Sequence, residues 1–387
     1  MGRWQGPTRG DVVAGLTVAL VLVPQSIAYA VLAGVPAVHG LYAAAAAPIV
    51  AGLVGSSPYL QTGPVALTSL LTLGALAPTL DEGTATYAAH AALLALIVGA
   101  TRLVVGVARG GFVAYLMSQP VVAAFTLAAA ILIGFSQLPA LVGVPSGHVN
   151  PFVSGLQALA HPWEWAWAGI VLGHAVLAIT LLAKRVNPLV PGALIGTLGA
   201  LLLVRYAGLD VAVVGAIPDG LPTPSLDLPW SATPGLLLSG VIIALVGFAE
   251  PASIARQYAS ADRTRWEPDK EFVGQGLANL AAGLFRGYPV GGSFSRSALN
   301  RLSGARTRWS GVVTGVAVLA TLPFVSVLSD LPKAALAGLI VASVVPLLNP
   351  RPVLRTWRMS RPQFVVGLVT LAVSLAAPLQ QRRPQLR

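Results

Sequence analysis

The sequence predicts an all-α polytopic membrane protein built on an inverted internal repeat. Three observations carry the prediction. Of 387 residues, 55% are hydrophobic and only 10% are charged, against about 25% charged in soluble domains, and many segments approach the roughly 20 apolar residues that cross a bilayer. Lys and Arg recur in alternate connections between those segments, the pattern that sets orientation in a membrane. The run Pro24-Gln25-Ser26-Ile27-Ala28 also returns as Pro251-Ala252-Ser253-Ile254-Ala255.

The net charge of +11 would suit nucleic acid if it formed one patch, but it is dispersed. Most of it lies at Arg3 and Arg9, Arg102 and Arg109, Lys184 and Arg185, Arg256 to Lys270, Arg301 to Arg308, Arg351 to Arg361, and the tail Arg382, Arg383 and Arg387. The connections between carry Asp81 and Glu82, Glu164, Asp210, Asp219, Asp227 and Asp330. The basic side is read as cytoplasmic, which puts the N-terminus inside and the chain across the cell inner (plasma) membrane many times. The expected partner is the lipid bilayer and not nucleic acid. No cysteine is present, so no disulfide framework or thiolate metal site is expected. The first apolar run lacks a cleavage pattern and is read as a span and not a leader. His39, His90, His148, His161 and His174 are scattered, with no metal-ligand spacing.

In chain order, Asp11–Ala33 is the first span, interrupted at Pro24-Gln25-Ser26. His39–Gly55, rich in Ala and Gly, suits close helix packing. Gln61-Thr62-Gly63-Pro64 opens Val65–Leu76, a run too short to cross alone and read as a half-helix starting near the midplane. Thr86–Ala108 and Phe112–Phe135 are full spans. Ser136–Trp165 is expected to be an outer loop whose Trp residues mark the interface. Trp167–Leu182 and Leu189–Val204 follow, then the Asp- and Pro-rich connection Tyr206–Trp230. Pro234–Ala255 is a span containing Glu250-Pro251, Arg256–Lys270 a polar loop, and Phe272–Leu284 a further span. Phe294–Leu302 is a second half-helix. Trp309–Leu328, Ala334–Leu348 and Phe364–Leu379 complete the chain.

The repeat organises these segments. Gly63 returns as Gly292 at nearly the same offset that separates Pro24 from Pro251. The two prolines lie on spans of opposite direction, so the repeat is inverted, as in many secondary transporters. Residues 1–205 form the first repeat, 206–233 the outer connection and 234–387 the second repeat.

Pro24-Gln25-Ser26-Ile27-Ala28-Tyr29-Ala30 with Leu32-Ala33-Gly34-Val35-Pro36 and Gly40-Leu41-Tyr42, then Thr62-Gly63-Pro64-Val65-Ala66, then Ser293-Phe294-Ser295-Arg296-Ser297, resemble the signature segments of the sulfate permease family, solute carrier family 26. The resemblance covers nearly the whole chain. It implies two inverted seven-segment repeats in a nucleobase-permease-like fold, with half-helices in segments 3 and 10. It further implies a core domain from 11–110 and 234–328, a gate domain from 111–205 and 333–379, a homodimer, and elevator movement of the core. Members of the family usually continue into a cytoplasmic STAS domain, which this sequence lacks. Past Ala377-Pro378-Leu379 it runs into Gln380-Gln381-Arg382-Arg383, so a full last segment is also missing from the expected pattern.

The half-helices supply the candidate site. Facing N-termini at Pro64–Ala66 and Phe294–Arg296 offer unpaired backbone N–H groups and about half a positive charge each, an anion cradle that needs no basic side chain. Gly63, Pro64, Gly291 and Gly292 break the helices and shape its backbone. Val65, Ala66, Phe294 and Ser295 line it, and the hydroxyls of Ser293, Ser295 and Ser297 are candidate donors. Arg296, a guanidinium at membrane depth, costs about 2.5–3.5 kcal/mol to place there. It is read as a partner of the bound anion, the alternative being a fixed ion pair with Glu250. Glu250, the only acid in a predicted span, is the candidate for proton coupling. Gln25 and Tyr29 share a helix face, and in the resembling family that face lines the substrate cavity. Arg286 flanks the same stretch and is the weaker candidate, since it can snorkel to an interface.

The expected function is secondary active transport of small anions (a dicarboxylate such as fumarate, sulfate, or bicarbonate) by proton-coupled symport. The alternatives are sodium-coupled bicarbonate symport and an anion channel or exchanger. A nucleobase permease is disfavoured because segment 10 carries Arg296 and no acid. Paired catalytic carboxylates, a nucleophile elbow and a phosphate-binding loop are absent, so no enzyme is expected. No cofactor or metal is expected beyond a coupling ion, H⁺ or Na⁺.

Overall fold

The architecture is that of a computed structural model, which describes residues 6–116, 119–145, 150–351, 353–354, 357 and 360–376. Among these, seven helices are long and apolar enough to cross a membrane. The expectations for Arg3, His148, Arg355, Arg358 and the tail from Ala377 to Arg387 fall outside the described residues.

Helix α1, Arg9–Ala33, starts at a capping box: the Thr8 hydroxyl accepts from the Asp11 N–H, and the Asp11 carboxylate accepts from the Thr8 N–H. That reciprocal pairing satisfies two donors a helix start would leave open. The other Asp11 oxygen accepts from Arg306 and Thr307 N–H, both at 2.8 Å, which ties α1 to the loop before α14. Contrary to expectation, α1 runs unbroken through Pro24-Gln25-Ser26. It ends at Gly34, whose φ of +78° is left-handed and favours glycine. Then come α2 (Ala37–Val54), strand β1 (Thr62–Gly63), α3 (Ala66–Leu76) and α4 (Ala85–Val107).

The second group begins after the short α5 (Val113–Leu116). Helix α6, Gln119–Val142, extends seven residues past Phe135, and Pro151–Ala160 folds as α7. The stretch read as one outer loop is thus largely helical. Asn150 explains α7's start, since its side chain accepts from the N–H of Phe152 and Val153. Trp163 and Trp167 are 74% and 78% exposed, as interface residues should be. Helices α8 (Trp167–Val186) and α9 (Gly192–Ala207) follow. The outer connection then bonds back onto the lead into α15, with Val214 N–H donating to Leu331 O at 2.9 Å and Lys333 N–H to Ala212 O at 2.8 Å.

The span expected over Pro234–Ala255 is two helices, α10 (Thr233–Val246) and α11 (Ala249–Ala261), which also takes in part of the expected polar loop. Next are α12 (Pro268–Leu284), strand β2 (Gly291–Gly292), α13 (Phe294–Leu302), α14 (Trp309–Thr321), α15 (Lys333–Val344) and α16 (Arg361–Ala376). Among the described residues the strands are β1 and β2, which pair antiparallel, Thr62 with Gly292 and Gly63 with Gly291. The helices sort into two bundles. One holds α1 to α4 and α10 to α14, with α12 packed on α4 and α2, and α14 on α2 and α1. The other holds α6 to α9, α15 and α16. They meet where α1 lies against α9 and α15, and α3 against α6.

Candidate functional site

A segment that leaves helical geometry inside a membrane must pair its backbone with protein. The two half-helix lead-ins pair with each other. Beyond the β1–β2 ladder, Ser293 N–H donates to Gln61 O at 3.0 Å, and Gln61 N–H donates to Ser297 Oγ at 2.9 Å. Ser297 therefore fastens the lead-ins as an acceptor and, being buried, does not line the cavity. Gly292 has no room for a side chain: a Cβ there would stand 2.8 Å from Leu60 Cδ1 and 3.1 Å from Pro251 Cα.

The crossing brings the starts of α3 and α13 to one cavity of about 820 Å³. Gln25, Tyr29, Val65, Ala66, Glu250, Phe294, Ser295 and Arg296 all line it. Gly63, Pro64, Gly291 and Gly292 do not line it and form the buried backbone behind it. The α3 start has no side-chain cap, so its first N–H groups stay open. At α13, Ser293 caps the Arg296 N–H at 3.4 Å, while Phe294 and Ser295 are exposed to the cavity. The opposite wall comes from the second bundle, including Thr126, Thr180, Ala193 and Ser343.

Arg296 is buried, 1% exposed. Its Nη1 donates to Gln25 Oε1 at 3.1 Å and its Nη2 to Pro64 O at 2.8 Å. Its buried Nε–H has no partner. Both its acceptors are neutral, so the positive charge is oriented without being cancelled. The ion pair with Glu250 weighed from the sequence is not formed: the ion pairs among the described residues are Lys270–Glu267 and Arg301–Asp262. Glu250 is half-buried. Its carboxylate faces the Phe294 N–H and is close enough to feel the Arg296 charge. Tyr29 sits beside Ser343 of α15, across the contact between bundles. Arg286 is exposed and does not line the cavity.

Two supports escaped the sequence reading. Along α12, Glu271, Gln275 and Asn279 lie four apart on one face, all buried. Glu271 accepts from Ser56 N–H, Ser56 Oγ and Ser57 N–H. Gln275 Nε2 donates to Thr62 Oγ1 at 2.7 Å. Asn279 accepts from Val290 N–H at 2.9 Å and donates to Val290 O at 3.2 Å. The ladder thus fixes the loop before β1, β1 itself and the residue before β2. Glu271 is a further buried acid, at the start of α12; the span's expected start at Phe272 left it just outside. The i, i+4 spacing was the available signal.

Arg102 is the second support and a correction. Counted among loop charges, it lies inside α4 and is fully buried. Its Nε donates to Ala244 O at 3.0 Å, its Nη2 to Ile243 O at 3.4 Å and its Nη1 to Val290 O at 3.1 Å. At the break, Phe248 N–H turns to Leu245 O and leaves Ala244 O without its helical donor. Arg102 supplies that donor, closes the end of α10 and holds the lead-in to β2.

No group of three or more His, Asp or Glu that could hold a metal occurs among the described residues.

The chain matches the sulfate permease family over residues 8–370. It is 33% identical over 386 residues to "Sulfate transporter 4.1, chloroplastic" of Arabidopsis thaliana, covering 96% of this chain and 56% of that protein. It is 37% identical over 380 residues to "Probable sulfate transporter MT1781" of Mycobacterium tuberculosis (strain CDC 1551 / Oshkosh), covering 96% of this chain and 67% of that protein. The chain therefore spans little more than half the length of the plant relative. Among solved structures it is similar to the transmembrane domain of a cyanobacterium bicarbonate transporter, BicA, with a TM-score of 0.84, 21% identity and 96% of each chain covered.

Proposed function

As the chain belongs to the sulfate permease family, we propose that it is a secondary active transporter of small anions that moves an oxyanion or carboxylate together with a proton. One observation carries this reading. Two helix starts and an uncancelled guanidinium converge on one cavity, lined by Val65, Ala66, Ser295 and Arg296. Open N–H groups and helix dipoles favour an anion there, and the buried Arg296 guanidinium adds its positive charge. The names of the relatives, sulfate and bicarbonate transporters, support an oxyanion as the substrate class.

The position of Glu250 supports the coupling to a proton. As a carboxylate it places a negative charge beside the Phe294 N–H and the cradle. A substrate anion would be repelled by it and would compete for the same positive groups. Protonating Glu250 removes the repulsion. By linkage, proton and anion then each raise the other's affinity, and the pair leaves together.

The construction of the site supports its movement as a unit. Every cradle residue belongs to one bundle, and the other supplies a mostly apolar wall. Sliding the first bundle past the second would carry the cradle between the two sides without dismantling it, an elevator. A homodimer anchored through the second bundle belongs to the same reading.

The test is uptake into liposomes of the purified chain, with labelled sulfate, fumarate and bicarbonate under imposed proton or sodium gradients. Saturable uphill uptake driven by an inward proton gradient is expected. Glu250→Gln should keep anion exchange and lose the proton-driven accumulation. Linear, non-saturating flux would instead establish a channel, and accumulation that follows sodium alone would remove Glu250 as a proton carrier.

A further inference from the structure

A second pocket, of about 520 Å³, lies on the other side of α11. Helix α11 separates the two: Gln257 and Tyr258 line the anion cavity, while Arg256, Ala259 and Ser260 line this pocket. Three guanidinium groups meet there, from Arg109 after α4, Arg256 on α11 and Arg265 before α12. None takes part in a hydrogen bond or ion pair among the described residues. The pocket also holds Trp266, whose buried indole N–H has no acceptor. One carboxylate is present, Asp269, and one of its oxygens is taken by the Gly111 N–H at 2.7 Å. The balance is strongly positive, with donors left over.

The surroundings identify what such a site would meet. On the adjoining end of α4, Val104 and Val107 are 66% and 69% exposed. Phe112 and Tyr115, on the pocket's rim, are 62% and 55% exposed. Tyr115 packs edge-on against Trp266, ring centres 5.7 Å apart. Apolar surface therefore gives way to aromatic rings and then to guanidinium groups, the succession a lipid meets from acyl chain to headgroup.

We propose that this pocket binds the phosphate of an anionic lipid headgroup, with Arg109, Arg256 and Arg265 as its charge partners and the Trp266 indole N–H as a hydrogen-bond donor. Guanidinium groups bond phosphate oxygens in pairs, and the Trp266 indole N–H beside them lacks an acceptor. A lipid held there braces α11, the helix that begins with Ala249 and Glu250, from the side away from the anion cavity.

The experiment places the full chain in nanodiscs of phosphatidylcholine mixed with phosphatidylglycerol, and counts retained lipid by native mass spectrometry after gentle delipidation. The wild type should retain phosphatidylglycerol over phosphatidylcholine. Each Arg→Gln change should weaken retention about fivefold, and the triple variant should abolish the preference. Melting in pure phosphatidylcholine nanodiscs checks that the variants fold. If the triple variant does not fold, Arg265→Gln, in the exposed loop, and Trp266→Phe carry the test. Equal retention by wild type and folded variants overturns the proposal. So does inorganic phosphate that displaces phosphatidylglycerol at matching concentration, which would make this a site for a soluble oxyanion. Poly-glutamate binding that disappears in the variants while lipid retention is unchanged would assign the pocket to an acidic protein segment instead.

Discussion

Pro24 and Pro251 head the same five-residue pattern, yet the helices around them differ. Around Pro24 the chain is one helix of 25 residues. Around Pro251 it is two, parted at Gly247 and Phe248. A proline inside a helix removes one backbone bond, and α1 tolerates that loss amid close packing. Pro251 is the third residue of α11, where its missing N–H has no helical partner to lose. The lead-ins diverge in the same way. The first, Gln61–Val65, is neutral and uncapped. The second, Val290–Arg296, is capped by Ser293, clamped by Asn279 and Arg102, and carries the guanidinium. The lesson is that an inverted repeat need not divide its work evenly. The first half contributes open backbone and, through Gln25, Pro64 and Arg102, part of the hold on its partner; the second contributes the charge, the Ser293 cap and the Asn279 clamp.

That asymmetry can be broken experimentally. The largest effect is expected from Arg296→Ala, which removes the charge. Anion affinity, measured by uptake KM or calorimetry, should fall at least about thirtyfold, from a loss of about 2–5 kcal/mol. A smaller loss would mean that the backbone of the two lead-ins suffices. Arg102→Met leaves Ala244 O without the donor that seals the break, and leaves Val290 O with Asn279 alone. It should cost about 1–3 kcal/mol, seen as a lower melting temperature in lipid, with transport reduced and Arg102→Lys rescuing only in part. Unchanged melting and transport would show that the break holds itself. Gly292→Ala forces a Cβ against Leu60 and Pro251 and should cost about 1–3 kcal/mol by overpacking. Thr62→Val, which removes one bond from the first lead-in, should cost about 1 kcal/mol. If it costs more than Arg102→Met, the division of work described above is reversed.

The sequence made much of the site legible. Phe294–Leu302 was readable as a half-helix to the residue, because polar and small residues cannot face lipid and Ser293 is a strong cap. Arg296 stood out for the same reason, being a charge where hydrocarbon was expected. Other features stayed hidden because they depend on partners distant in the chain. Arg102 looks like a loop charge until α4 is seen to continue past it and three carbonyls from two other segments are found around it. Glu271, Gln275 and Asn279 carry no signal of their own beyond their spacing; only Ser56, Thr62 and Val290 turn them into a ladder. Pro24 gave the wrong answer because proline weakens a helix locally, while tight packing on both sides keeps it whole. The outer stretch past Phe135 was read from its prolines and Trp residues, but the Asn150 cap was enough to start another helix there.

The short pairing of Thr62 and Gly63 with Gly292 and Gly291 has a consequence for selectivity. Main-chain bonds, and not side chains, set the separation of the two positive helix ends. Side-chain substitutions at Gln25, Ser295 or Arg296 would then strengthen or weaken all anions together. The ranking of anions by size would survive them, because the ruler that measures size is written in the backbone.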